Sequence, residues 1–133
     1  MKNRIFIKIS VILFWVLAVV ACKLTNQSEL YGTYLADYDV AKEKLTLHKD
    51  GTFFQEVTLK STSRVDTSEG TWTYDPKTGY VRFKENFMPV LNGFRQLNPD
   101  YNKKFSSASL PADKYFGNIL VGVAEGVLYK KIE

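Results

Sequence analysis

Residues 43–59, EKLTLHKDGTFFQEVTL, decide the fold. Leu45 and Leu47 fall on one face of an extended run, and Lys44, Thr46 and His48 on the other. A period of two marks a half-buried strand. Lys49-Asp50-Gly51 reads as a tight hairpin turn, since Asp-Gly is among the strongest short-range hairpin signals. The chain then returns over residues 52–59, with Phe53, Val57 and Leu59 in one phase. Two alternating runs joined by Asp-Gly predict an antiparallel pair.

The same grammar extends in both directions. Residues 31–36 predict a first strand, and Asp37-Tyr38-Asp39 a polar corner. Residues 61–69 read as a polar loop. Residues 71–74 predict a strand with Trp72 and Tyr74 on one face. Asp75-Pro76-Lys77-Thr78-Gly79 is a turn, because Pro presets one dihedral and Gly supplies another. Residues 80–84 return with Val81 and Phe83 inward. Residues 118–123 and 127–132 predict the last two strands, with Glu125-Gly126 turning between them. Gly32-Thr33-Tyr34, Gly51-Thr52-Phe53 and Gly70-Thr71-Trp72 recur every 19 residues, one strand-entry device used three times. The inward set is then Tyr34, Leu45, Leu47, Phe53, Val57, Trp72, Val81 and Phe83. About eight short strands in hairpin succession predict an all-β, antiparallel up-and-down barrel, because closure removes exposed strand edges.

Residues 87–116 break the pattern. Asn92-Gly93 between apolar runs predicts a type I′ hairpin, and Pro89 puts that arm at an edge or bulge. Asn98-Pro99-Asp100 predicts a short helix or turn over 99–105. Residues 106–110 read as a loop. The segment is longer than most connections and reads as a cap or binding loop. Phe94, Tyr101, Phe105 and Tyr115 interleave with Arg95, Lys103 and Lys104, a combination suited to an acidic partner surface, a sugar or an anionic head group. These seven residues are the candidate binding set.

The amino terminus carries a different message. Lys2, Arg4 and Lys8 precede a run over residues 9–20 that is apolar apart from Ser10, and small Ala21 precedes Cys22. A basic segment, a short apolar segment and a small residue at the cut are the parts of a secretory signal. The uncharged run is shorter than the roughly 20 residues that span a bilayer. Three of the 18 basic residues and none of the 14 acids lie in residues 1–21, so the remainder carries 15 against 14, a net +1. That near-neutrality leaves no basis for nucleic-acid binding. Cys22 is the sole cysteine and His48 the sole histidine. No intramolecular disulfide is available, and no zinc or copper site built from cysteine. His48 falls in the polar phase of its strand and reads as a rim residue. Asp37 and Asp39, two apart, read as a solvated turn rather than a cation site.

Val19-Val20-Ala21-Cys22 resembles the lipobox of bacterial lipoproteins: an aliphatic residue, a tolerated small or aliphatic one, Ala, then Cys. The resemblance implies cleavage between Ala21 and Cys22 and acylation, palmitate included, of the Cys22 sulfur. It implies a signal helix over 1–21, a lipidated tether over 22–29 and a domain over 30–133. With Lys23 after the cysteine, it implies a cell-envelope location, the outer membrane in a two-membrane cell. Leu30-Tyr31-Gly32-Thr33-Tyr34, Leu45-Thr46-Leu47 leading to Asp50-Gly51-Thr52-Phe53, and Gly70-Thr71-Trp72-Thr73-Tyr74 resemble the small lipocalin-like barrels of many bacterial lipoproteins. The chain also looks like the copper-resistance family of envelope lipoproteins. It lacks that family's Cys-x-x-Cys, so no metal role is carried over.

Together these readings give a non-enzymatic, membrane-anchored binding module without a cofactor. It takes a partner protein or a small apolar ligand through the barrel mouth and its cap. The alternative is an inhibitor or immunity-type protein that blocks an envelope toxin or hydrolase.

Overall fold

The computed structural model describes residues 26–92, 96–103, 106–122 and 127–133. The signal helix and tether residues 22–25, with Ala21 and Cys22 among them, lie outside the described residues, as do Phe94, Arg95, Lys104 and Phe105. The described chain forms β1 (Gly32–Tyr38), β2 (Ala41–Leu47), β3 (Thr52–Leu59), β4 (Val65–Asp75), β5 (Tyr80–Phe87), β6 (Ser106–Tyr115), β7 (Asn118–Val121) and β8 (Tyr129–Lys131), preceded by a single 3₁₀ turn, Gln27–Leu30. Each strand pairs antiparallel with the next, and β8 closes on β1 through Tyr34↔Lys131 and Leu35↔Lys130. The result is a closed eight-stranded, all-β barrel of the small lipocalin-like kind.

The alternation read from the sequence holds through β2 and β3. Ala41, Glu43, Leu45 and Leu47 point inward, and Lys42 and Lys44 outward. All eight expected inward residues are at most 1% exposed. Apolar-in and charged-out is the reverse of a barrel that spans a bilayer. Trp72, Tyr34, Tyr129, Phe53 and Phe83 are the largest side chains in the core, so the barrel body is filled. Phe53 and Phe83 meet edge to face at 5.2 Å, and Phe87 lies 4.6 Å from Phe83.

The three Gly-Thr-aromatic units place their aromatics alike, but their glycines serve different ends. Gly51 has φ +85 and makes the hairpin turn. Gly70 takes an ordinary φ, but a Cβ there would lie 2.8 Å from the Phe53 ring and 2.9 Å from the carbonyls of Lys84 and Glu85. Its role is close approach of strands.

Four expectations need correction. The polar loop over 61–69 shrinks, because β4 starts at Val65 and pairs with β3 from Thr58↔Val65 to Thr52↔Thr71. Its first residues bury little. The need to pair the β3 backbone selects this strand, not side-chain burial. The loop over 106–110 is likewise part of ten-residue β6. Ser and Ala have weak strand preference, but here they lie opposite β5, which needs a partner. Pro111 falls where β6 hands over from β5 (Tyr80↔Pro111) to β7 (Ala112↔Val121), so the ladder tolerates its missing N–H.

Third, a type I′ turn at Asn92-Gly93 would pair Leu91 with Phe94. The observed bridge is Leu91↔Leu97, with Asn92 N–H donating to Gln96 O at 2.9 Å. The loop is therefore wider, because Leu91 and Leu97 must both reach the barrel mouth. Fourth, the tether does not run free to residue 29. Leu30 is fully buried, Tyr34 Oη donates to its carbonyl at 2.8 Å, and Lys131 Nζ donates to Glu29 O at 2.9 Å. The 3₁₀ turn plugs the lower end of the barrel.

Candidate functional site: the capped barrel mouth

The pairing defines two ends. The lower end carries the 3₁₀ turn, the His48–Gly51 hairpin, the 76–79 turn and the Phe116-Gly117 turn. The upper end carries the β1–β2 and β3–β4 turns and, among the described residues, 88–92 and 96–103, which cross the mouth. Met88, Val90 and Tyr101 of this crossing pack on Ala41, Val57 and Leu59 as a second buried cluster. The turn over 99–103 is the turn that Asn98-Pro99-Asp100 predicts. Asn98 ties it down: Asn98 N–H donates to Val90 O (2.8 Å), Nδ2 donates to Pro89 O (2.9 Å), and Oδ1 accepts from Asp100 N–H (3.1 Å).

Beneath the crossing is a polar group of four, with Glu43, Gln55 and Tyr129 buried and Tyr38 partly so. Glu43, on the inward face of β2, is 2% exposed. Its Oε1 accepts from Gln55 Nε2 at 2.8 Å and from Tyr129 Oη at 2.7 Å, and its Oε2 accepts from Tyr38 Oη. Gln55, fully buried on β3, also holds the crossing. Its Nε2 donates to Met88 O at 3.0 Å, and its Oε1 accepts from Met88 N–H at 2.8 Å. This two-point bond imitates a strand ladder and anchors the cap to the inner wall of the barrel. No buried side-chain polar atom among the described residues lacks a partner. Burial pushes the Glu43 carboxyl above its ordinary value, and the hydrogen bonds from Tyr38, Tyr129 and Gln55 offset only part of this. Burial and then the neighbouring Glu43 drive the Tyr129 and Tyr38 hydroxyls upward.

A pocket of about 320 Å³ opens beside this group. Phe87, Met88, Val90, Leu91, Leu110 and Val127 supply its apolar wall, and Glu43 and Tyr129 also line it. The volume lies at the lower end of small-molecule sites. An apolar cavity of about 150 Å³ takes one benzene, so this pocket suits on the order of a dozen non-hydrogen atoms.

The candidate binding residues do not gather here. Tyr101 is 3% exposed, and its hydroxyl donates to Asp66. Burial and that bond push it up to about 12. Burial alone would raise Asp66, but Tyr101 and Arg64 more than offset this and hold it low. Tyr101 therefore anchors the cap instead of presenting a ring to a partner. Lys103 is exposed at the upper end, whereas Tyr115 is exposed at the lower end, beside the Phe116-Gly117 turn. The single 87–116 cap of the sequence reading thus divides: 88–92 and 96–103 cross the mouth, and β6 carries Tyr115 to the other end. Asp39 is exposed in the β1–β2 turn, in keeping with the solvated-turn reading, and Asp37 is exposed on β1 next to that strand's last residue. Asp37 pairs with Lys60 (2.5 Å) and Lys42 (3.8 Å). Those ion pairs, the Lys60 hydrogen bond foremost, hold its carboxyl low. His48 is exposed at the lower hairpin. Among the described residues no three His, Cys, Asp or Glu side chains converge on a metal-sized site.

The residues that build the site were passed over in sequence. Glu43 shares the phase of Leu45 and Leu47, and Gln55 that of Phe53 and Val57. A polar residue in an inward phase is the signal that would have found both. In comparisons with protein-family models, curated proteins and solved structures, the chain matches none of them.

Proposed function

We propose that this chain is a membrane-tethered envelope lipoprotein, and that its barrel is a non-catalytic module that holds one small, largely apolar ligand at the capped mouth. The observation that carries the ligand reading is the pocket walled by Phe87, Met88, Val90, Leu91, Leu110 and Val127, with Glu43 and Tyr129 at one side. A buried carboxyl that already accepts three hydrogen bonds can accept about one more. The ligand is therefore an apolar body with one hydrogen-bond donor, such as a hydroxyl or amine. The tether reading is supported by Val19-Val20-Ala21-Cys22 and the basic and apolar segments before it. The toxin-inhibitor alternative draws less support, since Tyr101 is turned into the cap and Lys103 and Tyr115 occupy opposite ends.

Native mass spectrometry of the purified chain, mixed with a lipid extract of bacterial envelopes, tests the ligand reading. A bound small mass is expected, and Ala108→Phe, at a β6 residue that also lines the pocket, should remove it without changing the far-ultraviolet circular dichroism. A parent chain that carries no small molecule under these conditions would sink the reading. Incorporation of labelled palmitate, abolished by Cys22→Ala, is the matching result for the tether; an unlabelled parent chain overturns that half.

A further inference from the structure

The β6–β7 hairpin ends on Tyr115-Phe116-Gly117-Asn118, with φ +48 at Phe116 and +82 at Gly117. Two positive φ values in a two-residue connection are the type I′ pattern, for which Asn, Asp and Gly are the favoured residues. A bulky aromatic at the first of these positions is locally unfavourable. Burial does not repay it, because Phe116 is 99% exposed. Neither turn chemistry nor packing against the described residues selects this side chain, which leaves a surface beyond them.

The hairpin also stands where the tether leaves. Lys114, two residues before Phe116, pairs with Glu29 at 3.4 Å, and Glu29 lies in the 3₁₀ turn that opens the described chain. Only residues 23–28 separate Glu29 from Cys22, a reach of no more than roughly 25 Å when fully extended. A chain held in a bilayer by lipid on Cys22 therefore keeps its lower end, and this tip, close to the head groups. Tyr115 beside the tip is 46% exposed, and Tyr80, at the lower end of β5, is 42% exposed. Tyrosine favours the boundary between hydrocarbon and water.

We propose that the Phe116 tip enters the interface of the bilayer that carries the Cys22 lipid and sets the barrel upright, with the capped mouth facing away from that membrane. This inference rests on the tether reading and goes beyond it, because a lipid alone anchors a domain without orienting it. One ring supplies too little for stable binding, in keeping with a two-signal anchor in which the acyl chains hold and the tip orients.

The test uses the acylated chain in vesicles of phosphatidylethanolamine and phosphatidylglycerol. Trp72 is buried in the barrel and provides the background emission. Phe116→Trp should add a blue-shifted emission that lipids brominated on their acyl chains quench, whereas Lys103→Trp at the opposite end should stay unquenched. In the non-acylated Cys22→Ser chain, Phe116→Ser should lower vesicle partitioning by about tenfold or more. If the chain floats with vesicles but Trp at 116 stays as water-exposed and unquenched as Trp at 103, the orientation is overturned and the tether stands. If the parent chain takes up no palmitate and does not float, the tether reading itself has failed.

Discussion

Glu43 shows how much a single position can carry. A carboxyl on the inward face of a filled barrel is costly unless every lone pair it offers is met. Tyr38, Tyr129 and Gln55 meet three of them. Because its folded value is raised, Glu43 contributes stability that is fully present below its ordinary value of 4.5 and is lost as pH rises through the folded value. Asp37, Asp50 and Asp66 are held low and work in the opposite sense, losing their contribution as pH falls below the ordinary 3.8. Glu43→Gln should therefore gain on the parent chain as pH rises above 4.5. Urea midpoints of the two chains measured from pH 4 to 8 check this, and a difference that does not change with pH would refute it. The position was legible as an inward one from Leu45 and Leu47. Its partners were not, since Tyr129 is 86 residues away.

The cap is the element whose reading changed most. Local sequence shows two apolar arms around Asn-Gly and predicts a self-contained hairpin. The structure instead holds the crossing through Gln55, 33 residues away, and through Asn98. Gln55→Leu keeps the volume but leaves the Met88 N–H and C=O buried without partners, at about 1–3 kcal/mol for each group. A lower urea midpoint and faster hydrogen exchange at the Met88 amide are expected; exchange unchanged from the parent chain would show that the cap is held by its apolar contacts alone. The first part of β4, residues 65–70, and strand β6 were missed for a related reason. Their polar and small residues have weak preference of their own, and they are extended because β3 and β5 present backbone that must be paired.

For the whole molecule, the barrel has a filled body, a plugged lower end and a capped, pocketed upper end. Leu30, read as the first residue of the domain, is a fully buried part of the plug. Leu30→Ala should cost about 2–5 kcal/mol, as large-to-small changes at buried positions do. Thermal and urea unfolding measure it, and a change no larger than that of a surface substitution would show that the plug contributes nothing to the barrel. What the sequence by itself determined is the all-β class, the hairpin order and the inward set, because period-two alternation and turn chemistry are local properties. The tertiary structure alone decided which polar residues meet at the mouth, which weak segments become strands and which ends Tyr101 and Tyr115 occupy. Those outcomes follow from closure, which brings β8 against β1 and Tyr129 to Glu43, and no local stretch of chain encodes it.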